Sequence, residues 1–412
     1  MRVATLLLCC FIAAGCSRMA TGPALPQGAV IPGARTAGLP AASGYDVLYS
    51  FRGRSTGGTP QAPLLSFRGS LYGTTSSYGV GYGTVFSVSA FGNVHVLHQF
   101  QGPHDGAYPE AGLTELNGKL YGTTSAGGSY GGGTVFEITP GGEESVLHSF
   151  GRNSDGAQPE SSLFVHDGVL YGTTQNGGAH HRGTVFALTP SGQEQVLHSF
   201  AGAPHDGGHP TAGLVLVKGE FYGVTRAGGQ SNGGGAMFEI SPFGSERVIH
   251  SFGIHAGDGK NPAGNLLFHD GSFFGTTLHG GRYGEGGTVF EIRNRKELVL
   301  HDFGSGDDGK YPSSGLIAVK NVLFGTTLGG GNSRQRKDCV PSGAAPTGGY
   351  YSCGTIFKVD QFGQERVVYR FDGHPDGANP QASLTDVDGV LYGTTRGGGS
   401  ATYYGTVFRI LP

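Results

Sequence analysis

The chain has 412 residues, 79 of them glycine and none tryptophan, with 14% charged residues and a formal net charge of −3. Average globular chains hold about 7% glycine and about 25% charged residues, so this one is built largely of turns. Its regularly spaced Phe, Tyr, Val and Leu exclude a disordered polymer, and the absence of a basic run excludes nucleic acid as a partner.

The N-terminus carries Arg2, the apolar run "VATLLLCCFIAAG" and then Cys16. This reads as a lipoprotein-type signal peptide over residues 1–16, too short to span a bilayer as a stable helix. The string "AAGC" (Ala13 to Cys16) has the form of a lipobox: small residues suit a narrow peptidase cleft, and the Cys16 thiol accepts the lipid. An ordinary signal peptide cut near the same place is the alternative. Ser17, which is not Asp, favours release to an outer membrane. The expected location is therefore the outer membrane or cell surface, with the N-terminal lipid in the membrane, or the periplasm or medium if Cys16 is not lipidated. Residues 17–44, rich in Pro, Gly and Ala, read as a flexible tether with a reach of about 30 Å.

Outside the leader only Cys339 and Cys353 remain, 14 residues apart in one loop. In an exported protein such a pair reads as a disulfide. Closing that loop would contribute about 3 kcal/mol in the chain-entropy model.

From residue 45 to 412 the chain repeats. An aromatic-Gly-Thr-Thr element recurs at Tyr72, Tyr121, Tyr171, Tyr222, Phe274, Phe324 and Tyr392, at spacings of 49, 50, 51, 52, 50 and 68. The fourth copy has Val224 for the first Thr. A period near 50 points to a propeller or solenoid. The copy at Ser161 to Phe200 divides into four short segments: a, "SSLFVH"; b, "VLYGTT"; c, "GTVFALT"; and d, "QVLHSF". Asn117-Gly118, Asp167-Gly168, Asp270-Gly271 and Asp388-Gly389 at the a–b junction suit tight hairpins, and Pro-x-Gly or Phe-Gly at c–d does the same. The first segment, "DVLYSF" (Asp46 to Phe51), is a d strand without a, b or c; the last copy ends on c, "GTVFRI". The orphans complete one another. The predicted fold is all-β: a seven-bladed β-propeller with four antiparallel strands per blade, closed by the N-terminal d strand on the C-terminal a-b-c strands.

The strings "LYGTT", the Gly-rich stretch, "GTVF" and "VLHSF" resemble the GloVer tandem-repeat proteins, a bacterial surface family, over roughly Gly44 to Pro412. The resemblance implies export and envelope anchoring; the family brings no established activity. No C-terminal sorting segment is expected, which leaves the N-terminal lipid as anchor.

With strand a innermost, the b–c loops and d–a crossovers share one face. The crossovers carry Asp105, Asp155, Asp206, Asp258, Asp308 and Asp376 in a D-G-x-x-P string, with Thr56 in the first copy. Turn geometry accounts for them; a ring of carboxylates binding Ca²⁺ would need several oxygens to converge, and one Asp per blade does not provide that. The Gly pairs Gly127-Gly128, Gly177-Gly178, Gly228-Gly229 and Gly280-Gly281 supply conformations closed to other residues. The d-strand slot two before Phe holds His98, His148, His198, His250 and His301, with Tyr49 and Tyr369 in the other copies. This reads as packing with a satisfied polar tip.

Two departures from the repeat are candidate sites. His180, His181, His205, Asp206 and His209 lie in loops of neighbouring blades and could supply Zn²⁺ with three or four ligands, although their spacing matches no zinc motif. The insertion at 328–353 carries Arg334, Arg336, Lys337, Tyr350 and Tyr351, which suit a sugar or protein contact. No cofactor is expected, and no catalytic residue stands out: there is no distinctive carboxylate pair and no defensible Ser-His-Asp order. The reading is a monomeric, non-catalytic binding or scaffolding module for a protein or glycan. A propeller hydrolase or lyase acting on extracellular polysaccharide, or a purely structural surface protein, is the alternative.

Overall fold

The computed structural model describes residues 44–78, 81–230, 233–331, 353–400 and 403–412. They form seven antiparallel blades and no α-helix. In the third blade strand a is Phe164–His166, b Val169–Thr174, c Thr184–Leu188 and d Glu194–Ser199, paired in that order. The seventh blade takes a, b and c from Thr385–Val387, Val390–Thr395 and Thr406–Ile410, and its fourth strand from Tyr45–Ser50. Tyr45 lies opposite Ile410 and Ser50 opposite Thr406, so the two ends of the propeller close one sheet, as the orphan segments predict.

The repeated strings follow from packing between blades. The Gly of the aromatic-Gly-Thr-Thr element lies under the Phe of strand c. A Cβ on Gly122 would sit 2.5 Å from Phe136 Cζ, and one on Gly223 2.5 Å from Phe238 Cζ. The Phe ending each d strand then meets the strand c Phe of the next blade: Phe100 with Phe136 at 5.1 Å, Phe200 with Phe238 at 5.1 Å, and across the closure Phe51 with Phe86 at 5.1 Å. Each buried Phe contributes about 1.5–3 kcal/mol, and the ring of such contacts places the core between blades. The first Thr of the element stitches neighbours together: Thr74 Oγ1 donates to Ala111 O at 3.0 Å, Thr173 to Ala212 O at 3.0 Å and Thr394 to Ala62 O at 3.2 Å. In the second "GTVF" Gly133 has φ 98, and a Cβ there would lie 2.8 Å from Pro159 of the next crossover.

Strand a is innermost. Gly112 N donates to Ser162 Oγ at 3.0 Å and Gly213 N to Asn265 Oδ1 at 2.7 Å, so small residues of successive a strands close on one another around the axis. The a–b hairpins turn as their Asn-Gly and Asp-Gly pairs require, with φ 50 at Asp167 and 75 at Gly168.

Candidate functional site

The d–a crossovers pair with the b–c loops. Gly156 lies opposite Gly177, Gly207 opposite Gly228 and Gly259 opposite Gly280, which puts both loop sets on one face. The Gly pairs there adopt left-handed φ, 77 and 75 at Gly127 and Gly128, and a Cβ on Gly127 would strike Gly102 O at 2.3 Å. They are punctuation of the fold.

The crossover Asp residues cap the turn that precedes them. Asp105 Oδ1 accepts Gln101 N at 2.8 Å, Asp155 Oδ1 accepts Gly151 N at 3.0 Å and Asp308 Oδ1 accepts Gly304 N at 3.1 Å. Asp206 accepts Ala201 N at 2.7 Å, Asp258 accepts His255 N at 2.7 Å and Asp376 accepts Asp372 N at 3.1 Å. Thr56 does the same for Arg52 N at 3.1 Å, which explains how the first copy dispenses with Asp. The carboxylates therefore reach back along the chain, and Asp206 Oδ1 also accepts Gly207 N at 2.6 Å.

Three residues after the crossover Asp, just before Pro, every blade holds a non-glycine residue in the left-handed region. These are Thr59, Tyr108, Gln158, His209, Asn261, Tyr311 and Asn379, with φ between 54 and 60. A left-handed residue costs about 1–2 kcal/mol, and a following proline makes an α-type backbone harder still. Several of these side chains latch onto a neighbouring loop: Asn261 Nδ2 donates to Arg226 O and to Gly233 O, both at 2.9 Å, and His209 Nδ1 lies 3.1 Å from Gln175 O. Tyr108 instead projects, 40% exposed, beside Tyr82 with ring centroids 6.2 Å apart.

Inside this ring is a polar mouth that the repeat does not require. Glu110 and Glu160, each following the crossover Pro, come from the second and third blades, Gln61 from the first, Arg226 from the fourth and Arg396 from the seventh. Their mutual influence across five adjacent blades places them near the axis. Burial pushes the Glu110 carboxyl up, opposed by a hydrogen bond from Gln61 and by the charge of Arg396. Glu160 is pushed up to about 7, first by burial and then by Glu110, with Arg226 opposing. Gln175 Nε2 donates to Glu160 Oε2 at 2.9 Å. On the sixth and seventh blades Ser313 Oγ, Gln381 Oε1 and Arg396 Nε are buried without a hydrogen-bond partner. A buried polar atom left unpaired costs about 1–3 kcal/mol, so these atoms are open to pairing with water or with a bound group. Sequence reasoning missed this mouth. The signal was present, since the residue after the crossover Pro changes from Glu to Thr, Ala, Ser or Gln between copies whose neighbouring residues barely change.

The His–Asp group expected in the third and fourth blades is not gathered. Among the described residues the three-member groups able to hold a metal are His98, Asp105 and Glu144, and His198, Asp206 and Glu246. Asp206 belongs to the second, 3.0 Å from His198 Nε2, while His180, His181 and His205 are exposed and His209 is tied to Gln175. Arg334, Arg336, Lys337, Tyr350, Tyr351 and Cys339 lie outside the described residues, as does Cys16 with the leader and most of the tether. Cys353, the other half of the expected disulfide, is buried in the core between the sixth and seventh blades. No helix among the described residues is long and apolar enough to cross a membrane.

No curated protein matches the chain. A solved structure shares its fold. The chain is similar to a puromycin hydrolase at TM-score 0.53 and 11% identity, covering 88% of this chain and 52% of that one, so it spans about half the hydrolase's length. It is also similar to a protein of unknown function from Bacteroides thetaiotaomicron, at TM-score 0.44 and 11% identity, covering 89% and 71% of the two chains. A putative glucose dehydrogenase from Thermus thermophilus aligns at TM-score 0.44 and 17% identity, covering 76% of this chain and 99% of that one. At 11% identity the likeness to the hydrolase is one of fold alone. A family model, by contrast, matches residues 38–234 and 204–336. The chain belongs to the Gloeobacter/Verrucomicrobia repeat family.

Proposed function

We propose that this propeller is an exported envelope module, lipid-anchored through Cys16, that binds a glycan non-catalytically in its axial mouth. The observation that carries the reading is the set of unmet hydrogen-bonding atoms on Ser313, Gln381 and Arg396, the first two in the same slot after the crossover Pro as Glu110 and Glu160 and the third acting on Glu110. Sugars offer closely spaced hydroxyls that both donate and accept, which matches a mixed lining of guanidinium, amide, hydroxyl and carboxyl groups. The exposed ring of Tyr108 supplies the flat amphipathic surface on which a pyranose face stacks. The lipid anchor rests on the "AAGC" string, and the expected Cys339–Cys353 disulfide would brace the insertion of the sixth blade.

One feature favours a second reading, hydrolysis of the bound polysaccharide. Glu160 is held near neutrality beside another carboxyl, the pattern of an acid paired with a base. A glycan array probed with the folded protein and with Arg396→Gln, followed by reducing-end assay of the captured glycans, separates the two. Binding that falls at least tenfold in Arg396→Gln, without new reducing ends, is the expected result. New reducing ends that vanish in Glu160→Gln would establish the hydrolase, and no capture at all would end both. Detergent-phase partitioning that is lost in Cys16→Ser tests the anchor separately.

A further inference from the structure

The outer wall of the propeller repeats a second polar arrangement, away from the axial mouth. In four d strands, at His98, His148, His198 and His301, the imidazole faces the crossover Asp that follows, and in two of these copies a Glu at the start of the next blade's d strand completes the group. Between the first and second blades His98 Nε2 lies 2.9 Å from Asp105 Oδ2 and 4.0 Å from Glu144 Oε2. Between the third and fourth, His198 Nε2 lies 3.0 Å from Asp206 Oδ2, and Glu246 closes the group. In both, one ligand atom from each residue falls within 4.8 Å of the others.

Two independent observations point to an occupant. The Glu144 side chain is only 9% exposed, yet its Oε1 has no hydrogen-bond partner, and Glu246 Oε1 is likewise buried and unpaired, as is the same atom of the equivalent Glu194, Glu297 and Glu365. The second observation is coordinated replacement. Where Tyr369 takes the His position, Tyr45 takes the Glu position and its hydroxyl donates to Asp376 O at 2.6 Å; where Tyr49 takes it, Thr56 and Val94 replace both acids. Beside Tyr49 both acids are gone with the imidazole, and beside Tyr369 the Glu is gone while Asp376 accepts the Tyr369 hydroxyl at 2.7 Å, as expected of a group whose members depend on the imidazole.

We propose that His98, Asp105 and Glu144, and His198, Asp206 and Glu246, each bind a divalent transition-metal ion of the Zn²⁺ type, with water completing the coordination. One imidazole nitrogen and two carboxylate oxygens form a borderline donor set that suits Zn²⁺, whereas Ca²⁺ asks for six or more oxygens. Bridging the d strands of adjacent blades, each ion would clamp an inter-blade interface.

The test is calorimetric titration of the chelator-treated full chain with Zn²⁺ and, separately, Ca²⁺, repeated on Glu144→Gln/Glu246→Gln and on His180→Ala/His181→Ala. At least two Zn²⁺ ions per chain are expected, bound more than about tenfold more tightly than Ca²⁺. The Gln pair should lower the stoichiometry by two and abolish the Zn²⁺-dependent rise in melting temperature, while the Ala pair leaves both unchanged. His98→Gln/His198→Gln should reproduce the loss, which guards against misfolding of one variant. No Zn²⁺ uptake by the parent chain, or uptake that the Gln pair leaves intact, overturns the proposal.

Discussion

At the scale of single residues, Glu160 sets the pH response of the axial mouth. Its carboxyl titrates near 7 in the folded chain against 4.5 ordinarily, raised by burial and by Glu110. Between those values the unfolded chain has released the proton and the folded one has kept it. Stability therefore falls as pH rises through this window and is flat above it. The slope stays below the roughly 1.4 kcal/mol per pH unit of a full one-proton difference, because Glu160 is only partly enclosed and water screens it. Glu160→Gln should leave urea midpoints unchanged at pH 4 and raise them at pH 8, on the order of 1 kcal/mol. Midpoints that respond equally at both pH values would show that the carboxyl is not held up by its surroundings.

At the scale of elements, the crossover keeps a left-handed residue before proline in all seven blades. Backbone strain at this position sets the order of its variants. Tyr108→Ala loses the ring and keeps the backbone cost, whereas Tyr108→Gly loses the ring and relieves it, so Gly should exceed Ala by about 1 kcal/mol in equilibrium unfolding. Asn261→Gly gains the same relief but drops two hydrogen bonds, to Arg226 O and Gly233 O, and should fall below Tyr108→Gly. Ala matching Gly at position 108 would mean the backbone there is unstrained. This conformation was not legible in the sequence, because Tyr, Gln or His before proline carries no signature of positive φ. The strands and hairpins were legible, since "GTVF", "YGTT" and the Asp-Gly turns state period and turn chemistry directly. The crossover Asp residues read as turn residues and are, but their meeting with Glu144 or Glu246 was invisible: His98 and Glu144 stand 46 positions apart, and one period does not reveal which slots face each other across blades. The axial mouth was hidden for the same reason, its members being scattered from Gln61 to Arg396.

At the scale of the whole molecule, stability depends on the closure, and closure is a single strand. Tyr45–Ser50 pairs along Thr406–Ile410; Tyr45 stacks on Tyr369 with centroids 3.9 Å apart, and Phe51 is 1% exposed against Phe86. Removing a buried Phe or Tyr costs about 3–5 kcal/mol each, so deleting residues 45–51 should remove most of the margin of a typical domain. It would also turn Thr406–Ile410 into an open edge whose free N–H and C=O groups recruit another chain. The deletion variant should therefore melt far below the parent and elute as dimers or larger species. A peptide of the sequence YDVLYSF, added in excess, should restore the monomer by occupying the edge. The ion pair within the closure matters little by comparison: Arg409 Nη2 meets Asp46 Oδ2 at 2.9 Å, but the Asp46 side chain is 37% exposed, and Asp46→Ala should cost under about 1 kcal/mol. A deletion variant that stays monomeric with the parent's melting temperature would show that the blades hold their ring without the strand, and that packing of Phe371 on Phe408 at 5.5 Å is enough to keep the seventh blade in place.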